Sequence, residues 1–180
     1  MLIVLIGPSG SGKTTLADRL GYPRVLTTTT RKPREGEFHG KDYYFTSKEQ
    51  FEVGIENGDF LEYAEVHGNY YGSSKVSIYK ALESSESGKA TIILDVNGAR
   101  SLKIRSDLQS ITFFLMPPSP WRLHLTRRLM IRGDSNQVID RRMETAEEEI
   151  KCAGEFDHLI VTENLDQAVS EIEGILSGPL

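Results

Sequence analysis

Short unbroken apolar runs alternate along this chain with stretches in which apolar residues recur every three or four positions. The runs LIVLI (2–6), ATIILD (90–95) and ITFFLMPP (111–118) have the continuous hydrophobicity of buried strands, the latter two suiting a parallel strand covered on both faces, and FDHLIV (156–161) reads as the last strand. Helical stretches fall between them: 13–20, 74–87, a helix in which Trp121, Leu125 and Leu129 sit four apart, 137–153, and 165–176. Ser47 with Gln50 three residues on forms a capping box, and Asn57-Gly58 closes the helix it starts. Residues 24–27, DYYF (42–45) and FLEYAEVHG (60–68) read as further strands, and Tyr71-Gly72-Ser73 as a turn. Residues 31–40 carry Pro33, Gly36 and Gly40 and read as a loop. Ser119 is expected to cap the helix after 111–118, with Pro120 at its first position. Strand–helix alternation with an insert near 31–87 predicts an α/β fold with a mainly parallel sheet.

Composition narrows the class. The chain has 180 residues, 38% hydrophobic and 26% charged, which suits one compact domain, 1–180, with its own core. Its single cysteine, Cys152, cannot form an internal disulfide, so a reducing, cytoplasmic setting is expected. The first apolar run is too short for a signal core or a membrane span. A net charge of −5 argues against a nucleic-acid polymer as partner, and no membrane partner is expected. The arginines are nevertheless clustered, at 31 and 34 and again from 122 to 142, which can focus positive potential into a cleft.

GPSGSGKTT, from Gly7 through Pro8, Ser9, Gly10, Ser11, Gly12, Lys13 and Thr14 to Thr15, fits the complete pattern of a phosphate-binding loop. It sits between an expected strand and an expected helix, as the mechanism requires. Its glycines let backbone N–H groups turn toward an anion, Lys13 can reach the β- and γ-phosphates, and the Thr14 hydroxyl can ligate Mg²⁺. Asp95 ends an apolar strand, where such folds place a second acid near the metal; an N-cap or turn aspartate is the other reading. DVNG (95–98) also fits a D-x-x-G pattern of switch GTPases, but the N-K-x-D that reads guanine in those proteins is absent.

A second anion site is visible in TTTTRKPREGEFHGKDYYF (27–45). Arg31 and Arg34, with rigid Pro33 between them, can converge on one phosphate. With GPSGSGKTTL, TTRKPREGE, GKDYYF, FLEYAEVHGNYYG, IILD, PPS and RRL in this order, the chain resembles guanylate kinases along nearly its whole length. That resemblance implies a P-loop NTPase fold in three parts: a core (1–30 and 88–180), a GMP-binding lobe (about 31–87) and a small lid (about 131–140). It implies transfer of a phosphoryl group from ATP to GMP, and to dGMP as well, with Mg²⁺ carried by ATP and closure of the lobes on substrate.

Carried over by position, the resemblance gives a GMP phosphate clamp of Arg31, Arg34, Tyr43 and Tyr71. Glu62 becomes the guanine reader, with Thr27, Gly72 and Ser73 beside it. Lys13, Arg31, Asp95, Arg128, Arg132 and Arg142 become the catalytic set. A carboxylate at 62 would accept guanine N1–H and the 2-amino group together, whereas adenine offers a bare acceptor at N1. Three departures from the family pattern stand out. The link before the TTR motif is short. DVNG stands where the family has D-x-D-x-Q-G, so either Asn97 replaces a second acid near the guanine end or that loop is two residues shorter. Thr162 replaces an asparagine near the adenine. Two other readings share the fold: a non-catalytic binding module, which would have a damaged phosphate loop, and a sugar-phosphate kinase, which would lack Glu62.

Overall fold

The computed structural model describes residues 1–66, 68–105 and 108–178; His67, inside the strand expected over 60–68, lies outside them. Its strands are β1 (Leu2–Ile6), β2 (Thr28–Thr29), β3 (Tyr44–Phe45), β4 (Phe60–Val66), β5 (Asn69–Ser74), β6 (Ala90–Ile93), β7 (Ser110–Met116) and β8 (His158–Val161). Its helices are α1 (Lys13–Leu20), α2 (Lys48–Glu56), α3 (Lys75–Glu83), α4 (Val96–Arg105), α5 (Trp121–Ile131), α6 (Asn136–Lys151) and α7 (Leu165–Ser177). The strands form two four-stranded sheets, β6-β1-β7-β8 and β3-β2-β5-β4. Every residue of β1 is fully buried, as a strand covered on both faces requires. β7 and β8 run parallel, with Phe113 opposite His158 and Met116 opposite Val161.

The backbone divides into two compact units, Met1–Ile3 with Tyr22–Ser110, and Val4–Gly21 with Ile111–Leu180. In the second, Leu125 and Leu129 of α5 pack on Ile139, Met143 and Ala146 of α6, with Trp121 alongside. The spacing 139, 143, 146 is one face of a helix, so α6 owes its place to that stripe. Residues 132–135 join the two helices, and Gly133 takes a positive φ of 87° there. In the first unit, Phe51 of α2 stacks on Phe60 of β4 (4.3 Å between ring centroids) and on Tyr70 of β5 (5.2 Å). Those contacts seat α2 on the β4–β5 hairpin, and the capping box at Ser47–Gln50 starts the helix as expected.

Three local expectations are corrected, and one helix was not foreseen. Residues 69–74 are a strand, not a turn: β5 pairs with β4 and with β2, and partners on both sides fix a segment whose own sequence is polar and glycine-containing. The strand expected at 24–27 is a single bridge, Arg24 to Thr91, and the pairing residues are Thr28 and Thr29. A helix absent from the sequence reading, α4, follows β6. Pro120, not Ser119, holds the N-cap position of α5, with an extended backbone and no side-chain cap bond.

Candidate active site

Loop 7–12 leads from β1 into α1. Gly7, Gly10 and Gly12 all adopt positive φ (137°, 88° and 98°). At Gly7 a Cβ would stand 2.6 Å from the Leu115 carbonyl, so side chains are excluded by space as well as by φ. Lys13 folds back over the loop, its Nζ donating to the carbonyls of Gly7 (2.5 Å) and Pro8 (3.0 Å). The first-turn N–H groups of α1 have no helical acceptor and give this end its partial positive charge. Thr14 and Thr15 are exposed in that turn; the Thr14 hydroxyl is a hard oxygen donor of the kind Mg²⁺ takes together with phosphate oxygens and water. Among the described residues, no group of three or more His, Cys, Asp or Glu side chains could hold a metal by itself.

Three arginines from α5, its C-cap and α6 reach this loop. Arg128 donates to the carbonyls of Gly10 (3.0 Å) and Thr162 (3.2 Å). Arg132 approaches Ser9 Oγ at 3.5 Å, and Arg142 donates to the same hydroxyl. Asp134 joins the two: its carboxylate accepts from Arg132 Nε at 2.9 Å and lies 4.0 Å from Arg142. Thr162 is fully buried and turns its hydroxyl to the Met116 carbonyl (3.2 Å). Arg122 stands apart from this group: it stacks on Trp121 and pairs with Glu147, and Arg141 is exposed.

The second cluster lies in the other unit. Arg31 spans the Tyr43 and Phe45 rings (5.3 and 5.8 Å to the centroids), and Tyr43 meets Tyr71 edge-on at 6.3 Å. Glu37 ties the two arginines together. Its carboxylate accepts from Arg31 Nη2 at 2.9 Å and from the Arg34 backbone N–H at 2.8 Å, and it lies 3.6 Å from the Arg34 guanidinium. Burial pulls the Arg31 pKa down, but hydrogen bonding to Glu37 and the neighbouring Tyr71 outweigh it and hold the guanidinium above its ordinary value. Burial, reinforced by Tyr71, pushes the Tyr43 phenol up.

Glu62 sits on β4 directly opposite Ser73 of β5, at a point where the pairing register shifts between Phe60 and Glu62. Such an irregularity re-aims side chains, and here it buries a carboxylate: Glu62 is only 2% exposed. Ser73 is fully buried too, and its Oγ makes no hydrogen bond among the described residues. Thr27 is buried, with its carbonyl accepting from Tyr44 N–H (3.0 Å). Gly72 faces Phe51, Phe60 and Tyr63, so its role is to let those side chains close. Asp95 caps α4, accepting from Gly98 N–H at 2.6 Å. Asn97 is exposed, its Oδ1 turned toward Arg100 at 3.5 Å. It is Gly98 that abuts Glu62: a Cβ there would lie 2.8 Å from Glu62 Oε2 and 3.2 Å from Asp95 Oδ1.

Glu37, Asp134 and Gly98 are absent from the sequence reading. Each had a faint signal: an acid three residues past Arg34, an acid two residues past Arg132 in RGDS, and a glycine three residues past Asp95. Two anion-suited clusters, one on a glycine loop opening a helix and one of arginines and tyrosines in the unit that also buries Glu62, on an α/β fold with a parallel sheet, define a P-loop nucleotide-binding protein.

The guanylate kinase family model matches residues 1–178. The chain is 39% identical to the guanylate kinase of Clostridium tetani, over 98% of this chain and 85% of that protein. It is 43% identical to that of Wolinella succinogenes, over 93% and 79%. The crystal structure of guanylate kinase from Anaplasma phagocytophilum superposes with a TM-score of 0.76 at 29% identity, covering 98% of this chain and 84% of that one. The chain belongs to the guanylate kinase family.

Proposed function

We infer that the chain performs the reaction its family is named for, the transfer of the γ-phosphoryl group of ATP to GMP, giving ADP and GDP. The observation that carries the assignment of GMP to this chain's own residues is Glu62, a carboxylate 2% exposed in the same unit as the Arg31 cluster. An ionised carboxylate there accepts guanine N1–H and the 2-amino group, and the Ser73 hydroxyl and Thr27 complete the base contacts. Arg31, Arg34, Tyr43 and Tyr71 bind the GMP phosphate; the cation–π contacts and Glu37 hold Arg31 ready for it. Asp95, beside Glu62 across Gly98, supports the base end, and Asn97 stands at its rim.

On the donor side, the loop Gly7–Thr15 surrounds the ATP phosphates with backbone N–H groups. Lys13 and Arg128, Arg132 and Arg142 spread positive charge over the transferred phosphoryl group, where charge moves as the bond to the leaving oxygen loosens. Mg²⁺ arriving with ATP would neutralise phosphate charge, and Thr14 is the residue that would hold it. The chemistry asks little covalent help of the protein; it requires in-line placement and exclusion of water. We therefore also propose that residues about 31–87 act as the GMP-binding lobe and about 131–140 as a lid. Cys152 is the single cysteine of the sequence and rules out an internal disulfide, which suits the reducing, cytoplasmic setting we propose. No helix among the described residues is long and apolar enough to cross a membrane.

The test is a coupled ADP-release assay across GMP, dGMP, IMP, AMP, UMP and ribose phosphates. GMP and dGMP are expected to turn over, with IMP far behind and the rest near background. Turnover with a ribose phosphate and none with GMP would overturn the assignment, and no turnover at all would favour a binding module.

A further inference from the structure

We propose that Gly98 is a specificity-determining position: its missing side chain lets α4 seat against the Glu62 carboxylate and hold it in the alignment that reads the purine base. The inference rests on the reading of Glu62 as the guanine contact. Gly98 lies inside α4, and its backbone is not in the left-handed region that favours glycine. Conformational freedom therefore gives no reason for glycine here, and inside a helix glycine is a poorer choice than alanine.

The reason is space. A Cβ at 98 would meet Glu62 Oε2 at 2.8 Å, Asp95 Oδ1 at 3.2 Å and Glu62 Cδ at 3.6 Å. The other tightly packed glycines of this unit, Gly54 and Gly72, have an aromatic carbon as their nearest neighbour. At Gly98 all three nearest atoms belong to carboxyl groups. Asp95 is tied down by accepting the Gly98 N–H at 2.6 Å, so Glu62 is the group that yields to an added methyl. Glu62 cannot yield without leaving its place, because it is almost wholly buried and its backbone is paired opposite Ser73. Hydrogen bonds weaken steeply with misalignment. A base that offers two donors to Glu62 then loses more than a base that offers one, so the position tunes guanine against hypoxanthine.

The experiment compares kcat/KM for GMP and IMP, KM for ATP and thermal unfolding in the wild type, Gly98→Ala, Glu62→Asp, Glu62→Gln and the double variant Gly98→Ala with Glu62→Asp. Gly98→Ala is expected to lower kcat/KM at least about tenfold for GMP and distinctly less for IMP, with ATP KM unchanged within about twofold. With Glu62→Asp the shorter side chain withdraws from position 98, and the same added methyl should cost less than about threefold. An equal cost in both backgrounds overturns the proposal. So does a Gly98→Ala protein with wild-type kinetics and a raised melting temperature, which is what an ordinary helix glycine would give. If Gly98→Ala alone fails to fold and Glu62→Asp rescues it, the contact stands; if both fail to fold, it falls. Should Glu62→Gln leave the GMP-to-IMP ratio unchanged, the guanine reading of Glu62 itself fails. A changed ratio there with an inert Gly98→Ala removes only the role given to Gly98.

Discussion

Asp134 offers a way to test the donor-side arginines without touching any of them. Replacing it by Asn keeps the shape and one acceptor but removes the negative charge between Arg132 and Arg142. That charge accepts from Arg132 Nε at 2.9 Å and stands 4.0 Å from Arg142. A charge-assisted hydrogen bond contributes roughly 1.5–3 kcal/mol, and the pair with Arg132, whose side chain is 34% exposed, must be discounted for screening. A net loss of about 1–2 kcal/mol remains, which in a chain of this size lowers the melting temperature by roughly 2–8 °C. On the proposed donor-side reading ATP changes the balance, because its phosphates would bring their own negative charge to the same arginines. The Asp134→Asn protein should therefore lose less stability with a non-hydrolysable ATP analogue bound than without it. By linkage, a recovery of about 1 kcal/mol appears as roughly fivefold tighter binding of the analogue. Differential scanning calorimetry with and without the analogue, and isothermal titration of the analogue into both proteins, measure the two quantities. The same melting loss in both states, or weaker binding by the variant, would refute the idea that nucleotide phosphate takes over from Asp134.

Lys13→Ala should abolish turnover while leaving the melting temperature close to wild type, since Lys13 adjoins the loop 7–12 and donates to carbonyls of that same loop; near-full activity would remove the loop from the site. Glu37→Gln should raise the KM for GMP about five- to thirtyfold, equivalent to about 1–2 kcal/mol, because Arg31 and the Arg34 backbone lose their shared anchor, with ATP KM little changed; tighter GMP binding would instead mark Glu37 as a competitor for the phosphate seat. The Tyr43 phenol, pushed up by burial, stays a donor through mildly alkaline solution, so KM for GMP should be flat from about pH 7 to 9, while Tyr43→Phe should raise KM throughout that range. Small-angle scattering should give a smaller radius of gyration with GMP plus the ATP analogue than without ligands; an unchanged radius counts against lobe and lid closure.

The sequence alone determined the features that depend on neighbours in the chain. The glycine loop and α1 are local: Gly12 and Gly21 bound the helix in left-handed conformations, and LIVLI can only be a buried strand. The capping box at Ser47–Gln50 needs four residues and no partner. The guanylate kinase resemblance rested on motifs of this kind, and the family match carries the fold with it. Tertiary structure decided what pairing and packing decide. NYYGSS has no alternation of its own and becomes β5 because β4 and β2 bind it from both sides. VNGARSLKIR, with Asn and Gly near its start, becomes α4 where it packs against β4 and is capped by Asp95. The site follows the same division. Which residue types would hold phosphate could be read in order along the chain. That Glu37 and Asp134 sit among the arginines, and that Gly98 rather than Asn97 lies against Glu62, could not, because each depends on the direction a side chain takes after distant segments have met.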